Sequence, residues 1–213
     1  MIMNSISILF SGRGTNAESI ISNVSNKKLN FKIKRIISSN EDAKRISLLR
    51  KYNYPIIVVN KKSFLTTDSY NKAVLETLDP NDNELLLLCG YMLKLPKLII
   101  NKYKGNVINI HPSLLPKYKG LNTHKKVILN KDKYHGCSTH FVNDEIDCGP
   151  IIAQYKISVE HDDDETSIAE KLLKREHTLY YRTLKMIENQ EILLRDNKVL
   201  HNGSVLLNPI VFT

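Results

Sequence analysis

The apolar residues of this chain follow two alternating rhythms. Residues 5–10 form a short, β-prone apolar run, and Gly12 to Asn16 then opens a stretch with Ala17, Ile20 and Ile21 at helical spacing. The exchange recurs, predicting strands at 31–37, 55–59 and 84–89 and helices at 42–52, 67–78 and 96–102. The 84–89 run is almost continuously apolar, as expected of a parallel strand buried on both faces. A strand ending at His111 closes the series. This alternation predicts an α/β fold, doubly wound around a mostly parallel sheet.

Beyond His111 the order changes. A helix at 123–129 precedes two strands at 136–143 and 151–158, a long helix at 165–188 and a short strand at 198–201. The residues after that strand carry no pattern that places them. No repeat or low-complexity linker interrupts the chain, so one domain is expected.

Composition narrows the class. With 213 residues, 42% hydrophobic and 25% charged, the chain has the makeup of a soluble domain with a real core. No apolar run reaches membrane-spanning length, and Met1 to Ser5 lacks the charged-then-apolar order of a secretory signal, so the expected location is cytoplasmic, away from membranes. Cys89, Cys137 and Cys148 form no Cys-x-x-Cys pair, which argues against a disulfide scaffold or a structural zinc. The net charge of +9 is spread in short pairs such as Lys27-Lys28 and Lys61-Lys62. That scatter argues against nucleic acid and suits attraction of an anionic small substrate.

The candidate chemistry sits where the strand ending at His111 breaks at Pro112. Asn109 and His111 are two residues apart, so an extended chain turns both to one face and Ile108 and Ile110 to the other. An amide and an imidazole converging at the carboxyl end of a strand can stabilise an oxyanion and handle a proton near neutral pH. Asp147, in an acidic turn before Gly149-Pro150, is the carboxylate expected to orient His111 and raise its pKa. Each element alone also fits a strand-end histidine and a solvated turn. Gly12-Arg13-Gly14-Thr15-Asn16 joins a strand to a helix amino end, a place suited to phosphate, although many tight turns carry glycine for geometry alone. In the long helix, Ala169, Leu172, Leu173, Glu176, His177, Tyr180, Leu184 and Ile187 share one face, so Glu176 and His177 interrupt an apolar stripe. Such residues need either a ligand or an internal ion pair.

Together, Asn109-Ile110-His111-Pro112-Ser113-Leu114-Leu115-Pro116 and Asp147-Cys148-Gly149-Pro150 resemble the signature of the folate-dependent formyltransferases. Lys117 to His124 and Ser11 to Asn16 extend the likeness over nearly the whole chain. The resemblance implies a Rossmann-like fold over residues 1–213, with a phosphate-binding half at about 1–100 and a catalytic and folate half at about 101–213. It implies transfer of a formyl group from 10-formyltetrahydrofolate to the amine of 5′-phosphoribosylglycinamide, in purine biosynthesis, by a monomer or weak dimer and without a metal.

By the same resemblance Asn109, His111 and Asp147 are catalytic, and Gly14, Thr15 and Asn16 hold the substrate phosphate. Glu176 holds the substrate amine or ribose. Met92, Leu93, Lys94 and Leu95 border the folate together with Asn109, Asn143, Asp144 and Asp147. Ser138, His140 and His124 stand behind these groups, where structural roles for the histidines remain open. The chain departs from the family pattern at Thr67 and Leu93, where relatives carry Arg, and at Asn122, where a relative can carry His. Methionyl-tRNA formyltransferases and formyltetrahydrofolate deformylases share the central motifs but add a further domain, for which this length is not expected to leave room.

Overall fold

The computed structural model describes residues 3–41, 46–80 and 83–213, apart from the Leu48 side chain. The chain divides into two compact units, the first ending at Ile108 and the second beginning at Asn109. The first contains β1 (Ser5–Phe10), α1 (Thr15–Ser25), β2 (Lys32–Ser38), α2 (Ile46–Leu49), β3 (Ile56–Val58), α3 (Thr67–Leu78), β4 (Glu84–Leu88) and α4 (Lys97–Lys102). Its strands lie in the order β4-β1-β2-β3, and every pair is parallel.

β1 is buried at all six positions because β2 and β4 flank it on both sides. Its polar Ser7 therefore needs a partner, and its hydroxyl donates to Glu84 at 2.5 Å. The Glu84 carboxylate also accepts the Tyr103 hydroxyl at 2.9 Å and pairs with the Lys34 ammonium at 3.2 Å. α1 buries Ala17, Ile20 and Ile21, as its spacing predicts. Thr66 caps α3 by accepting the Ser69 N–H, and Tyr70, Val74 and Leu78 form that helix's buried stripe. Of the helix expected at 42–52, residues 42–45 lie outside the described residues, and α2 ends at Leu49, where the chain passes into a tight 3₁₀ turn, Arg50–Tyr52.

β5 (Val107–His111) leads into the second unit, which holds α5 (Thr123–Leu129), β6 (Tyr134–Phe141), β7 (Ile151–Ser158), α6 (Glu165–Glu188), β8 (Ile192–Arg195), β9 (Lys198–His201), β10 (Ser204–Val205) and β11 (Ile210–Phe212). One set of strands runs β11-β7-β6-β5, with β6 and β7 antiparallel and β11 parallel to β7. β8, β9 and β10 make a separate antiparallel meander. The architecture is α/β with mostly parallel pairing, as the alternation predicts.

α6 opens on a reciprocal capping box between Asp164 and Ser167 and packs on β6 and β7. Its buried stripe is Ile168, Leu172, Leu179, Tyr180, Thr183, Leu184 and Ile187, so it is turned slightly from the predicted face. β6 starts and ends two residues earlier than expected, because its register against β7 begins at Tyr134 opposite Ser158. Among the described residues no helix is long and apolar enough to cross a membrane.

Candidate active site

β5 delivers its side chains in the predicted alternation. Ile108 and Ile110 are buried in the core, His111 is buried at the strand's end and Asn109 is half-buried. Asp147 approaches from the turn after β6. Its φ of +51° is a left-handed conformation that Asp tolerates better than most residues, at a cost of about 1–3 kcal/mol. Two contacts hold that turn. The Phe141 N–H donates to the Pro150 carbonyl at 2.9 Å. Gly149 lies so close to Phe141 that any Cβ would fall on its carbonyl oxygen.

The resulting cluster is dense. His111 Nδ1 lies 3.3 Å from Asp147 Oδ2, and the Gly120 N–H donates to the same oxygen at 2.9 Å. The Asn109 amide lies 3.2 Å from His140 Nε2 and donates to Asp147 Oδ1 at 3.4 Å. His140 Nδ1 faces the Phe141 carbonyl at 2.9 Å, and its Nε2 faces both the Asn109 amide and, at 3.6 Å, Asp147 Oδ1. His111 Nε2 lies 2.9 Å from the Tyr118 carbonyl. Both nitrogens of His111 therefore face acceptors, and only the doubly protonated ring satisfies both.

Electrostatics set the resting state. Burial pushes the His111 pKa down, and the Tyr118 carbonyl and the Asp147 charge only partly oppose it, so it lies below the ordinary histidine value. Asp147 does pull the pKa upward, as expected from the sequence, but desolvation is the larger effect and sets the net direction. For Asp147, burial acts to raise the pKa, yet His140, His111 and the Gly120 N–H outweigh it and hold the carboxyl below its usual range. The carboxylate is thus ionised at neutral pH.

The remaining predicted residues of this unit fall into distinct places. Ser138 is fully buried, and its hydroxyl donates to the Ser113 carbonyl at 2.6 Å and accepts the Leu115 N–H at 3.0 Å, fixing the loop after β5. His140, two residues on, reaches the cluster directly. His124 instead meets His135 at 3.0 Å, and burial pushes the pKa of His135 down to about 4. The Asn143 side chain accepts the Glu145 N–H at 3.1 Å in a local turn, and Asp144 is exposed. Glu176 is half-buried on α6, where its charge, after burial itself, helps raise the pKa of the Cys137 thiol.

In the first unit, Gly14 takes φ +68° and begins α1 with no side-chain cap, leaving the helix's amino end to backbone groups. Thr15 is half-buried and Asn16 buried. The Met92 side chain is exposed, and its N–H donates to the Ser11 hydroxyl at 3.1 Å. Leu93 is half-buried and Lys94 exposed, whereas Leu95 is a core residue at 5% exposure. Among the described residues no three His, Cys, Asp or Glu side chains are grouped as metal ligands. Sequence reasoning did not find the Tyr118 carbonyl or the Gly120 N–H, because backbone atoms carry no residue signature. The left-handed φ values of Tyr118 and Gly120 show what bends them inward.

Comparison with known proteins bears on this cluster. Residues 4–184 match the family described as formyl transferase. A phosphoribosylglycinamide formyltransferase of Escherichia coli (strain K12) is 31% identical over 201 residues, covering 94% of this chain and 95% of the relative. The solved structure of a phosphoribosylglycinamide formyltransferase from Coxiella burnetii, in complex with CHES, superposes with a TM-score of 0.91 at 32% identity and covers 99% of both chains. That of the same enzyme from Anaplasma phagocytophilum gives 0.83 at 33% identity over 99% of both chains.

Proposed function

This chain belongs to the formyl transferase family, and within it to the phosphoribosylglycinamide formyltransferases of purine biosynthesis, and on that footing we propose that Asn109, His111 and Asp147 carry its reaction. The co-substrate is 10-formyltetrahydrofolate and the acceptor is the amine of 5′-phosphoribosylglycinamide. The observation that carries the assignment is the convergence of Asn109 and His111, from one strand end, on the Asp147 carboxylate.

The amine nitrogen attacks the formyl carbon, forming the new C–N bond and leaving a tetrahedral oxyanion. The Asn109 amide donates to that oxygen. His111 donates from its Nδ1 edge, where the contact with Asp147 is the longer of its two. Asp147 favours the imidazolium and organises a water that carries the proton from the attacking nitrogen to the departing folate nitrogen, as the bond from formyl carbon to folate breaks. In the first unit, Gly14, Thr15 and Asn16 offer the α1 amino end to the ribonucleotide phosphate, and Met92 to Leu95 border the folate. Asn143 and Asp144 are folate neighbours in the second unit, and Glu176 holds the substrate amine or ribose.

Tetrahydrofolate release followed spectroscopically, with and without phosphoribosylglycinamide, tests this reading. Amine-dependent turnover is expected, and His111→Ala and Asn109→Ala should each lower it by about 10²–10³ while folding stays intact. Folate release that does not need the amine would indicate a hydrolase and overturn the assignment.

A further inference from the structure

The segment from Lys117 to Asn122 joins the loop after β5 to α5, and its backbone touches two reacting groups at once. The Tyr118 carbonyl meets His111 and the Gly120 N–H meets Asp147, each at 2.9 Å. Backbone atoms are aimed by whatever holds the chain around them. Here Tyr118, Gly120 and Asn122 take φ values of +56°, +75° and +60°. Tyrosine rarely adopts that conformation, so the surroundings must impose it.

The surroundings that impose it centre on Asp132, in the turn between α5 and β6. Its two oxygens take the Lys117 ammonium at 2.7 and 2.8 Å, and Oδ2 also accepts the Tyr118 hydroxyl at 2.8 Å. The Asn130 amide donates to that same hydroxyl at 2.9 Å. The phenol is thus pinned as donor and acceptor together, and the Ser113 hydroxyl holds the Lys117 carbonyl at 2.7 Å. The Lys117 pair is exposed and contributes little by itself. A hydroxyl bonded to a half-buried carboxylate is the stronger fixture.

We infer that Tyr118 and Asp132 are positioning residues for formyl transfer: Asp132, through the Tyr118 hydroxyl, sets the Tyr118 carbonyl against His111 Nε2 and so aims the other edge of the ring at the reacting oxygen. Neither side chain touches the reacting atoms. The inference rests on the role given to His111 above. Asp147, His140, Lys126 and His135 are the other charged or titratable groups acting on His111, and all four remain in the variants that test it.

Tyr118→Phe removes the hydroxyl and keeps the ring, Asp132→Ala removes the anchor, and Asp132→Asn keeps an acceptor for Tyr118. The readouts are kcat, KM for each substrate, and the His111 titration followed by NMR. Tyr118→Phe and Asp132→Ala should lower kcat about tenfold with KM little changed, since a misplaced catalytic group loses rate before binding. Their His111 midpoint should fall as the carbonyl acceptor is lost, and Asp132→Asn should recover most of the rate. A folded Tyr118→Phe enzyme with the parent's kcat and His111 midpoint would overturn the inference, even if Asp132→Ala failed to fold. Absence of formyl transfer by the parent protein would count against the function instead, while the NMR arm, which needs no turnover, would still decide the tether.

Discussion

Glu84 at the start of β4 and Asp147 in the turn after β6 are both carboxylates with little exposed side-chain surface, and their surroundings differ in kind. Glu84 sits on a regular strand with no exposed side-chain surface, and its partners are an ammonium and two hydroxyls that only donate. The Tyr103 phenol beside it is pushed up in pKa, first by burial and then by the Glu84 charge, so it stays a donor over the whole working range. Asp147 sits on a left-handed turn, is 11% exposed at its side chain, and faces two histidines and an amide. Its two histidine partners can change protonation, and its amide partner, Asn109, is only half-buried. A buried carboxylate whose partners are fixed donors stabilises a fold. One held on strained backbone among titratable rings is built for chemistry.

Glu84→Ala gives the largest expected effect, because it strands the buried Ser7 and Tyr103 hydroxyls and leaves the Lys34 ammonium only the Asp79 carbonyl. It should cost about 3–5 kcal/mol of stability in denaturant titrations, while kcat of the folded fraction stays near the parent's. The losses of about 10²–10³ in turnover expected for Asn109→Ala and His111→Ala, with little change in unfolding, are the mirror image. If Glu84→Ala spared stability, or His111→Ala chiefly lowered it, the contrast between the two sites would collapse.

Acid sharpens the comparison. His135 has a folded pKa of about 4 against 6.5 for an ordinary histidine. Its neutral ring is favoured in the fold, so this contribution is fully present above about pH 6.5 and is lost as pH falls toward 4, at up to about 3 kcal/mol. The depressed carboxyl of Asp147 acts in the same direction at lower pH, losing its contribution only as pH falls through its own folded value. Replacing His135 by Gln should flatten the acid limb of the stability curve between pH 6.5 and 4. A smaller effect is expected from Gly149→Ala, where the new methyl meets the Phe141 carbonyl and moves the Asp147 turn. About 1–3 kcal/mol of stability should go, together with part of kcat.

Local rules read much of this fold from the sequence. α3, α5, β7, α6 and β9 lie where the periodicity and caps place them. β11 was not legible because its three residues pair with Ala153 to Tyr155 of β7, and nothing near Ile210 announces so distant a partner. β8 did leave a signal: Asp196 and Asn197 both take positive φ between β8 and β9, a two-residue hairpin turn written in the sequence. At the site, side-chain identity pointed to Asn109, His111 and Asp147. The Tyr118 carbonyl and the Gly120 N–H were hidden, as was the dominance of burial over Asp147 in setting the pKa of His111. Those depend on how the chain bends and how much water is excluded, which no short motif encodes.

The central claim is that Asp147 serves the reaction and not the fold. The most direct test is the rate of amine-dependent tetrahydrofolate release by Asp147→Asn, measured on protein shown by circular dichroism to be folded. The account predicts a rate lower by at least about a hundredfold. A folded Asp147→Asn enzyme turning over at the parent's rate would contradict it.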